Sequence, residues 1–293
     1  MEIIDGKKVA EEIKETIKAE VAALIDNGDR VPHLVAVLVG DDPASHTYVA
    51  GKEKACREVG FTSSVYRLPA TTKESELLGV VGFLNQDEEV DGFIVQVPLP
   101  KHINETKILE SILPSKDVDG FHPANLGRMI IGLPTFLPAT PFGILKLLEY
   151  YKIETEGKHC VVLGRSNIVG TPMSLLMSRK AYPGNSTVTI CHTKTNNVKE
   201  ICLTADILIA AVGQPNYVTE DMVKKGAVVI DVGMHRIPDE TKKSGFRLIG
   251  DVDFANVSPK CKAISPVPGG VGPMTIVALI LNTFKAYKKE VYS

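Results

Sequence analysis

Short runs of Val, Ile and Leu alternate along this chain with stretches of helical periodicity, and that alternation restricts the fold more than any other feature. The runs at 34–39, 64–69 and 92–97 are nearly unbroken in apolar residues, as parallel strands covered on both faces must be. Helical patterns at 43–60 and 73–86 separate them. An earlier one at 7–27 carries Val9, Ile13, Ile17, Val21 and Ile25 on one face and stops at Asn27-Gly28-Asp29. A second series begins at 158–163 and continues through 187–191, 205–210 and 227–232, with helices near 171–180, 197–204 and 219–225. Strand–helix alternation implies βαβ units and parallel sheets. Between the series, Thr140-Pro141 opens a helix to Tyr151, with threonine as cap and proline at its first position. This helix is expected to bridge two domains. A last helix, about 273–289, follows a Pro-Gly-rich turn and is expected to pack back on the first domain.

The predicted fold is therefore α/β and two-lobed. A three-layer αβα domain covers 1–139 and is joined by the C-terminal helix 273–293; a Rossmann-like domain covers 140–272, with a cleft between the two. A length of 293 residues supplies core for both. No solenoid repeat or low-complexity tract interrupts the pattern.

Bulk properties exclude more than they assign. With 23% charged residues and a net charge of −2, the chain lacks the electrostatic footprint of a nucleic-acid binder. No apolar run approaches the ~18–20 residues that span a bilayer, and the N-terminus lacks the basic-then-apolar order of a signal segment. Cys56, Cys160, Cys191, Cys202 and Cys261 are scattered, without Cys-x-x-Cys spacing or a nearby histidine pair, which argues against zinc, any other metal centre and a disulfide framework. A cytoplasmic protein without nucleic-acid or membrane partners is expected.

Gly164-Arg165-Ser166-Asn167-Ile168-Val169-Gly170 joins a strand to a helix, the βα turn at which a pyrophosphate meets helix N-terminal amides. Ser166 stands where the usual fingerprint has its second glycine, and a tight structural turn is the alternative reading. An NAD site usually carries an acid at the end of the next strand to hold the ribose 2′-hydroxyl. That stretch here reads Cys191-His192-Thr193-Lys194-Thr195, with no acid. Cations and hydroxyls suit a 2′-phosphate, and Arg165 could reach the same group bidentately, so NADP is favoured over NAD. Gly213 after the third strand of this lobe and Gly233 after the fourth lie on the edge where a nicotinamide would rest.

In the first lobe, a helix beginning at Pro43 places Tyr48 and Lys52 four residues apart on one face. Ser45 precedes them in the same segment. Taken alone, the pair also fits an exposed aromatic and a solvated lysine. Gln96 ends an apolar strand and needs a partner, either backbone or Lys52. Asp117 and Asp119 are expected to point oppositely. Asp117 could bind local backbone while Asp119 faces a ligand, since a carboxylate matches adjacent N–H donors of an amino-pyrimidinone edge; each acid alone also fits a turn-former. Pro268-Gly269-Gly270-Val271-Gly272-Pro273 lets main chain lie against a flat ligand, or serves as a linker.

Ser45-x-x-Tyr48-x-x-x-Lys52, Gln96-Val-Pro-Leu-Pro100, Lys116-Asp-Val-Asp-Gly120, Gly164-Arg-Ser-x-x-Val-Gly170 and Pro268-Gly-Gly-Val-Gly-Pro-Met-Thr275 occur here in this order. Jointly, and over essentially the whole chain, they resemble the bifunctional methylenetetrahydrofolate dehydrogenase/methenyltetrahydrofolate cyclohydrolase family, called FolD in bacteria. The resemblance implies a folate-binding first lobe and an NADP-binding second lobe. It also implies reversible oxidation of 5,10-methylenetetrahydrofolate, hydrolysis to 10-formyltetrahydrofolate, and a homodimer serving one-carbon metabolism and purine biosynthesis. By resemblance, Tyr48 stacks on the folate, Lys52 is the catalytic lysine, Gln96 its hydrogen-bonding partner, and Asp119 the carboxylate that holds the pterin. Ser45, Pro268, Gly269 and Gly270 join the substrate set. Arg165 and Thr193 match positions near the 2′-phosphate; Gly164, Ser166, Val169, Gly170, His192, Gly213 and Gly233 complete the cofactor set. Hydrolysis needs a proton taken from water and passed to a ring nitrogen, work for a desolvated lysine.

Three departures stand out. Ala139 occupies a position where many relatives have cysteine, the stretch 178–185 looks longer than usual, and Gly233-Met-His-Arg236 replaces a commoner Gly-Ile-Asn. His235 and Arg236 read as exposed loop residues that could also touch the cofactor. Competing readings are a monofunctional dehydrogenase on the same fold, a non-catalytic dinucleotide-binding module, and a shikimate-type dehydrogenase. Formyltetrahydrofolate synthetase activity is not expected, since no Gly-x-x-x-x-Gly-Lys-Ser/Thr loop is present.

Overall fold

The computed structural model describes residues 1–242 and 245–292. In chain order the elements are β1 (Glu2–Ile3), α1 (Gly6–Asp26), β2 (His33–Val39), α2 (Pro43–Val59), β3 (Thr62–Leu68), α3 (Glu74–Gln86) and β4 (Gly92–Val95). After these come α4 (Glu105–Ser111), α5 (Pro123–Ile130), α6 (Ala139–Tyr150), β5 (His159–Leu163), α7 (Gly170–Ser178), β6 (Thr187–Cys191), α8 (Val198–Cys202) and β7 (Ile207–Ala210). The chain ends with β8 (Val228–Asp231), β9 (His235–Pro238), β10 (Phe246–Ile249), α9 (Phe254–Val257), β11 (Ala263–Ile264) and α10 (Val271–Tyr287).

These elements divide into two compact units. One comprises Glu11–Ala139 with Ile276–Ser293, the other Met1–Ala10 with Thr140–Thr275. The first ten residues thus depart from the expected 1–139 domain. The cause is strand pairing: Glu2 and Ile3 lie parallel to Ala263 and Ile264. The Lys7 amide then donates to the Gly269 carbonyl at 3.0 Å. A two-residue strand carries no periodicity from which this could be read.

In the unit built on Glu11–Ala139, β3-β2-β4 form a parallel sheet. Leu34, Ala36 and Leu38 of β2 pack into one cluster with Ile17 of α1, Val59 of α2 and Leu279, Ile280 and Phe284 of α10. Val35, Val37 and Val39 pack on the opposite face with Leu77, Val81 and Leu84 of α3 and Ile108 of α4. Both faces of β2 are therefore buried, which is why its sequence is apolar without alternation. The last helix does pack back on this unit, through the cluster just described.

In the other unit six strands run parallel in the order β1-β11-β8-β7-β5-β6. Because β6 lies on one side of β5 and β7 on the other, the winding reverses at β5, and the carboxyl ends of β5 and β7 flank the switch point where open α/β sheets bind ligands. The helix expected at 219–225 is only a 3₁₀ turn, Glu220–Met222, with the Thr219 hydroxyl donating to Asp221. β9 and β10 form an antiparallel hairpin that apolar patterning did not predict.

Candidate active site

Lys52 reaches the end of β4 because α2 starts where it does. Gly40 turns the chain out of β2 with φ +86°, Asp42 caps the helix by accepting the Ser45 amide at 2.7 Å, and Pro43 occupies its first position. Ser45 is buried and Tyr48 is 42% exposed, whereas Lys52, one turn further on, is only 9% exposed. Its Nζ donates to Gln96 Oε1 at 3.2 Å. The Gln96 side-chain amide donates to the Val97 carbonyl at 2.7 Å, which fixes Oε1 as the atom facing the lysine. Of the two partners open to Gln96 on sequence grounds, it has both. The sheet order reverses between β2 and β4, so this pair also sits at a switch point.

A parallel bridge between Phe93 and Asp117 runs the 116–119 segment alongside β4. Asp117 turns inward, 3% exposed, and accepts the His122 amide at 2.7 Å and the Asn125 side-chain amide at 2.9 Å. Asn125 in turn accepts from Thr135 and from the Tyr292 hydroxyl. Asp119 is half-buried in the turn that follows the bridge, and its carboxylate is hydrogen-bonded to none of the described residues. Fully buried Asn282 of α10 donates to the carbonyls of Val118 at 2.8 Å and Leu137 at 2.9 Å, pinning the backbone on both sides of Asp119-Gly120. Asn125, Asn282 and Tyr292 escaped the sequence analysis. A lone asparagine in the apolar run Leu279-Ile-Leu-Asn282 was the available signal.

Burial pushes the Asp117 carboxyl up to about 7. Between the ordinary carboxylate range and that value the folded chain retains a proton that the unfolded chain releases. This group's contribution therefore falls as pH rises from about 4 to about 7, by an amount on the order of a few kcal/mol. Asp117→Asn removes the dependence. The melting temperature of the unsubstituted chain minus that of the variant is expected to be larger at about pH 5 than at about pH 8. A pH-independent difference would show that Asp117 does not titrate in this window.

In the second unit the 164–170 loop closes tightly on itself. A Cβ on Gly164, whose φ is +110°, would lie 2.1 Å from the Ala211 carbonyl oxygen, and one on Gly170 would lie 2.2 Å from the Gly164 oxygen. Ser166 has a structural reason to replace glycine: its Oγ accepts the amides of Val169 at 3.2 Å and Gly170 at 3.4 Å, capping the start of α7. Those amides, expected to face a pyrophosphate, are thus held by the loop itself. A cavity of about 200 Å³ opens at the switch point, lined by Arg165, Ser166, His192, Thr193 and Val212 among others. No carboxylate lines it among the described residues. His192 Nδ1 accepts the Lys194 amide at 3.2 Å, so the neutral ring carries its proton on Nε2. This donor set of a guanidinium, a hydroxyl and an imidazole N–H fits a 2′-phosphate.

Gly233 shares a narrower recess with Pro268, Gly269 and Gly270. The structure therefore brings these three beside a predicted cofactor residue, within Thr140–Thr275, while Ser45, Tyr48, Lys52, Gln96 and Asp119 belong to the other unit. Gly213 follows β7 in a turn with φ +75°. His235 and Arg236 begin β9 rather than lying in a loop: His235 is half-buried and donates to Asp251 at 2.7 Å, while Arg236 is exposed, as expected, and lies over the Phe246 ring at 4.7 Å. The roles of Asp231 and Asp251, beneath Gly213 and Gly233, were also missed, because most of their partners are backbone amides distant in sequence.

Residues 4–119 match the family model of the tetrahydrofolate dehydrogenase/cyclohydrolase catalytic domain, and residues 138–291 match that of its NAD(P)-binding domain. The chain belongs to the tetrahydrofolate dehydrogenase/cyclohydrolase family. A relative from Cytophaga hutchinsonii, bifunctional protein FolD, is 60% identical, with 98% of this chain and 99% of the relative covered. The crystal structure of FolD from Campylobacter jejuni superposes with a TM-score of 0.92 at 47% identity, covering 99% of both chains. The Trypanosoma brucei dehydrogenase-cyclohydrolase, solved with NADP cofactor and an inhibitor, gives 0.93 at 37% identity, covering 99% of this chain and 98% of that one. Membership in this dehydrogenase/cyclohydrolase family sets aside the shikimate-type and non-catalytic readings. Among the described residues no helix is long and apolar enough to cross a membrane.

Proposed function

We propose that this chain oxidises 5,10-methylenetetrahydrofolate with NADP and hydrolyses the resulting 5,10-methenyl compound to 10-formyltetrahydrofolate. The observation that carries the reading is the shielded Lys52 amino group on Gln96, 3.2 Å away at the end of a parallel strand. Residues 11–139 with 276–292 hold the folate in this reading, and 140–275 hold the cofactor. NADP, when bound, accepts the hydride that leaves the methylene carbon. Arg165, Thr193 and His192 bind its 2′-phosphate.

Asp119 accepts the paired N–H donors of the pterin, and exposed Tyr48 offers its ring for stacking on the folate. Gln96 fixes Lys52 Nζ in place. As water adds to the methenyl carbon, Lys52 takes the proton that the attacking water loses. It then returns that proton to the ring nitrogen as the carbon–nitrogen bond breaks and the formyl C=O forms; the remaining hydroxyl proton leaves to solvent, which accounts for the loss of the methenyl cation's charge and regenerates the amine. Pro268, Gly269 and Gly270 line the substrate with backbone. The same reading makes the chain a cytoplasmic homodimer acting on folates, without nucleic-acid or membrane partners; its net charge of −2 fits the former exclusion.

Purified protein mixed with 5,10-methylenetetrahydrofolate and NADP⁺ tests this, with NAD⁺ as control. The expected result is NADPH formation with little methenyl accumulation, and hydrolysis of added methenyl compound above its spontaneous rate. Methenyl accumulation would reduce the activity to a monofunctional dehydrogenase. No reduction with either cofactor would overturn the reading.

A further inference from the structure

One carboxylate supports both glycine turns of the cofactor unit. Asp251 is fully buried, and its Oδ2 accepts the Val212 amide at 2.6 Å and the Gly213 amide at 2.9 Å. Its Oδ1 accepts His235 Nε2 at 2.7 Å. A Cβ on Gly233 would fall 2.4 Å from that same Oδ1, so the chain passes over this carboxylate only as glycine. Val212 lines the larger cavity and Gly233 the narrower recess, and the position of Asp251 therefore shapes the backbone of both.

Asp251 is not alone. Asp231, also buried, accepts the Asp251 amide at 2.9 Å and the Gly233 amide at 2.9 Å through Oδ1, and the Val252 amide at 3.0 Å through Oδ2. Two buried carboxyl groups in adjoining turns need compensating donors, and an oxygen stripped of its donor is costly to leave unpaired. Backbone amides serve three of the four oxygens. The fourth, Asp251 Oδ1, depends on His235, the one basic side chain bonded to either carboxylate among the described residues. His235 is 20% exposed, one edge on water and the other on Asp251.

We infer that His235 is a positioning residue for the cofactor: by donating to Asp251 Oδ1 it holds Oδ2 against the Val212 and Gly213 amides and so presets the turn that receives the nicotinamide end of NADP. The inference rests on the NADP reading of this unit. Without the imidazole, Oδ1 has no donor among the described residues, the carboxylate rotates toward another, and the amides lose their acceptor. The loss falls on cofactor affinity, because His235 lies behind the turn and acts only through Asp251.

Full-length His235→Ala and His235→Gln, titrated with NADPH by its fluorescence and assayed for dehydrogenase activity, test this. His235→Ala is expected to raise the NADPH Kd and the NADP⁺ KM roughly 10-fold, equivalent to about 1.4 kcal/mol. The kcat at saturating cofactor and the folate KM are expected to stay within about 2-fold, since no transition-state contact is removed. Glutamine carries an amide nitrogen that can take the place of imidazole Nε2, so His235→Gln is expected to bind NADPH within about 2-fold of the unsubstituted chain. If His235→Ala loses its cooperative thermal transition, His235→Leu replaces it, keeping bulk without a donor. An unchanged Kd in the non-donor variant, a glutamine variant as weak as it, or equal losses in kcat and folate KM would each overturn the inference. An unsubstituted chain that binds no NADPH would overturn the NADP reading itself.

Discussion

Lys52→Met is expected to lower cyclohydrolase turnover by about 10²–10⁴-fold while the dehydrogenase keeps activity within about 10-fold, because positioned proton transfer contributes on that scale and only hydrolysis requires it. Methionine preserves the length and the packing of the aliphatic stem at a site that is 9% exposed, so the fold should tolerate the change. What disappears is the Nζ donor to Gln96 Oε1 and, with it, the base proposed to accept water's proton. Hydride transfer to NADP⁺ needs no proton from this side chain, and a positive charge beside the developing methenyl cation would oppose it. The signature is therefore accumulation of the methenyl compound during methylene oxidation, read directly by its absorbance. Gln96→Ala serves as the companion variant. It leaves the amino group in place but frees its orientation, and is expected to impair hydrolysis less than Lys52→Met does. Equal loss of both activities in Lys52→Met would assign the lysine to substrate positioning instead of proton transfer.

Much of this site could be read before any coordinates because its parts are local. Asp42, Pro43, Ser45, Tyr48 and Lys52 occupy one helix start, where cap chemistry and helical spacing set direction. The apolar run of β2 and its neighbours located the sheet because burial on both faces leaves a compositional mark. Arg165 and Thr193 could be found because a strand end and the following turn are contiguous in sequence. The supports were hidden for the opposite reason. Asn282 fixes Val118 from a distant helix, and Asp251 holds Val212 from 39 residues further along the chain. Such bonds depend on which strands become neighbours, and β1 and β11 are too short to announce their pairing. His235 illustrates the gap: from its flanks it read as loop, yet the β9–β10 register and a buried carboxylate give it a defined partner. Chemistry-bearing residues were thus more legible than the groups that hold them still.

Arg165→Ala is expected to raise the NADP⁺ KM by roughly 10–100-fold while leaving the KM for NAD⁺ nearly unchanged, since a hydrogen bond to a charged group is worth about 1.5–3 kcal/mol. The guanidinium is exposed at the mouth of a cavity that no described carboxylate lines, and a planar fork is suited to two phosphate oxygens at once. NAD⁺ lacks the 2′-phosphate and has nothing to lose there. Raising salt should weaken NADP⁺ binding to the unsubstituted chain more than to the variant, because an exposed charge pair is screened. Arg165→Lys separates charge from geometry: a point charge should recover part of the affinity and the bidentate component should stay lost. His192→Ala removes an N–H donor whose orientation the Lys194 amide sets, and one donor lost in place of a two-pronged fork should have the smaller effect. A parallel rise in KM for both cofactors would place Arg165 on the shared pyrophosphate, and NADP selectivity would then have to come from Thr193 and the turn that follows β6.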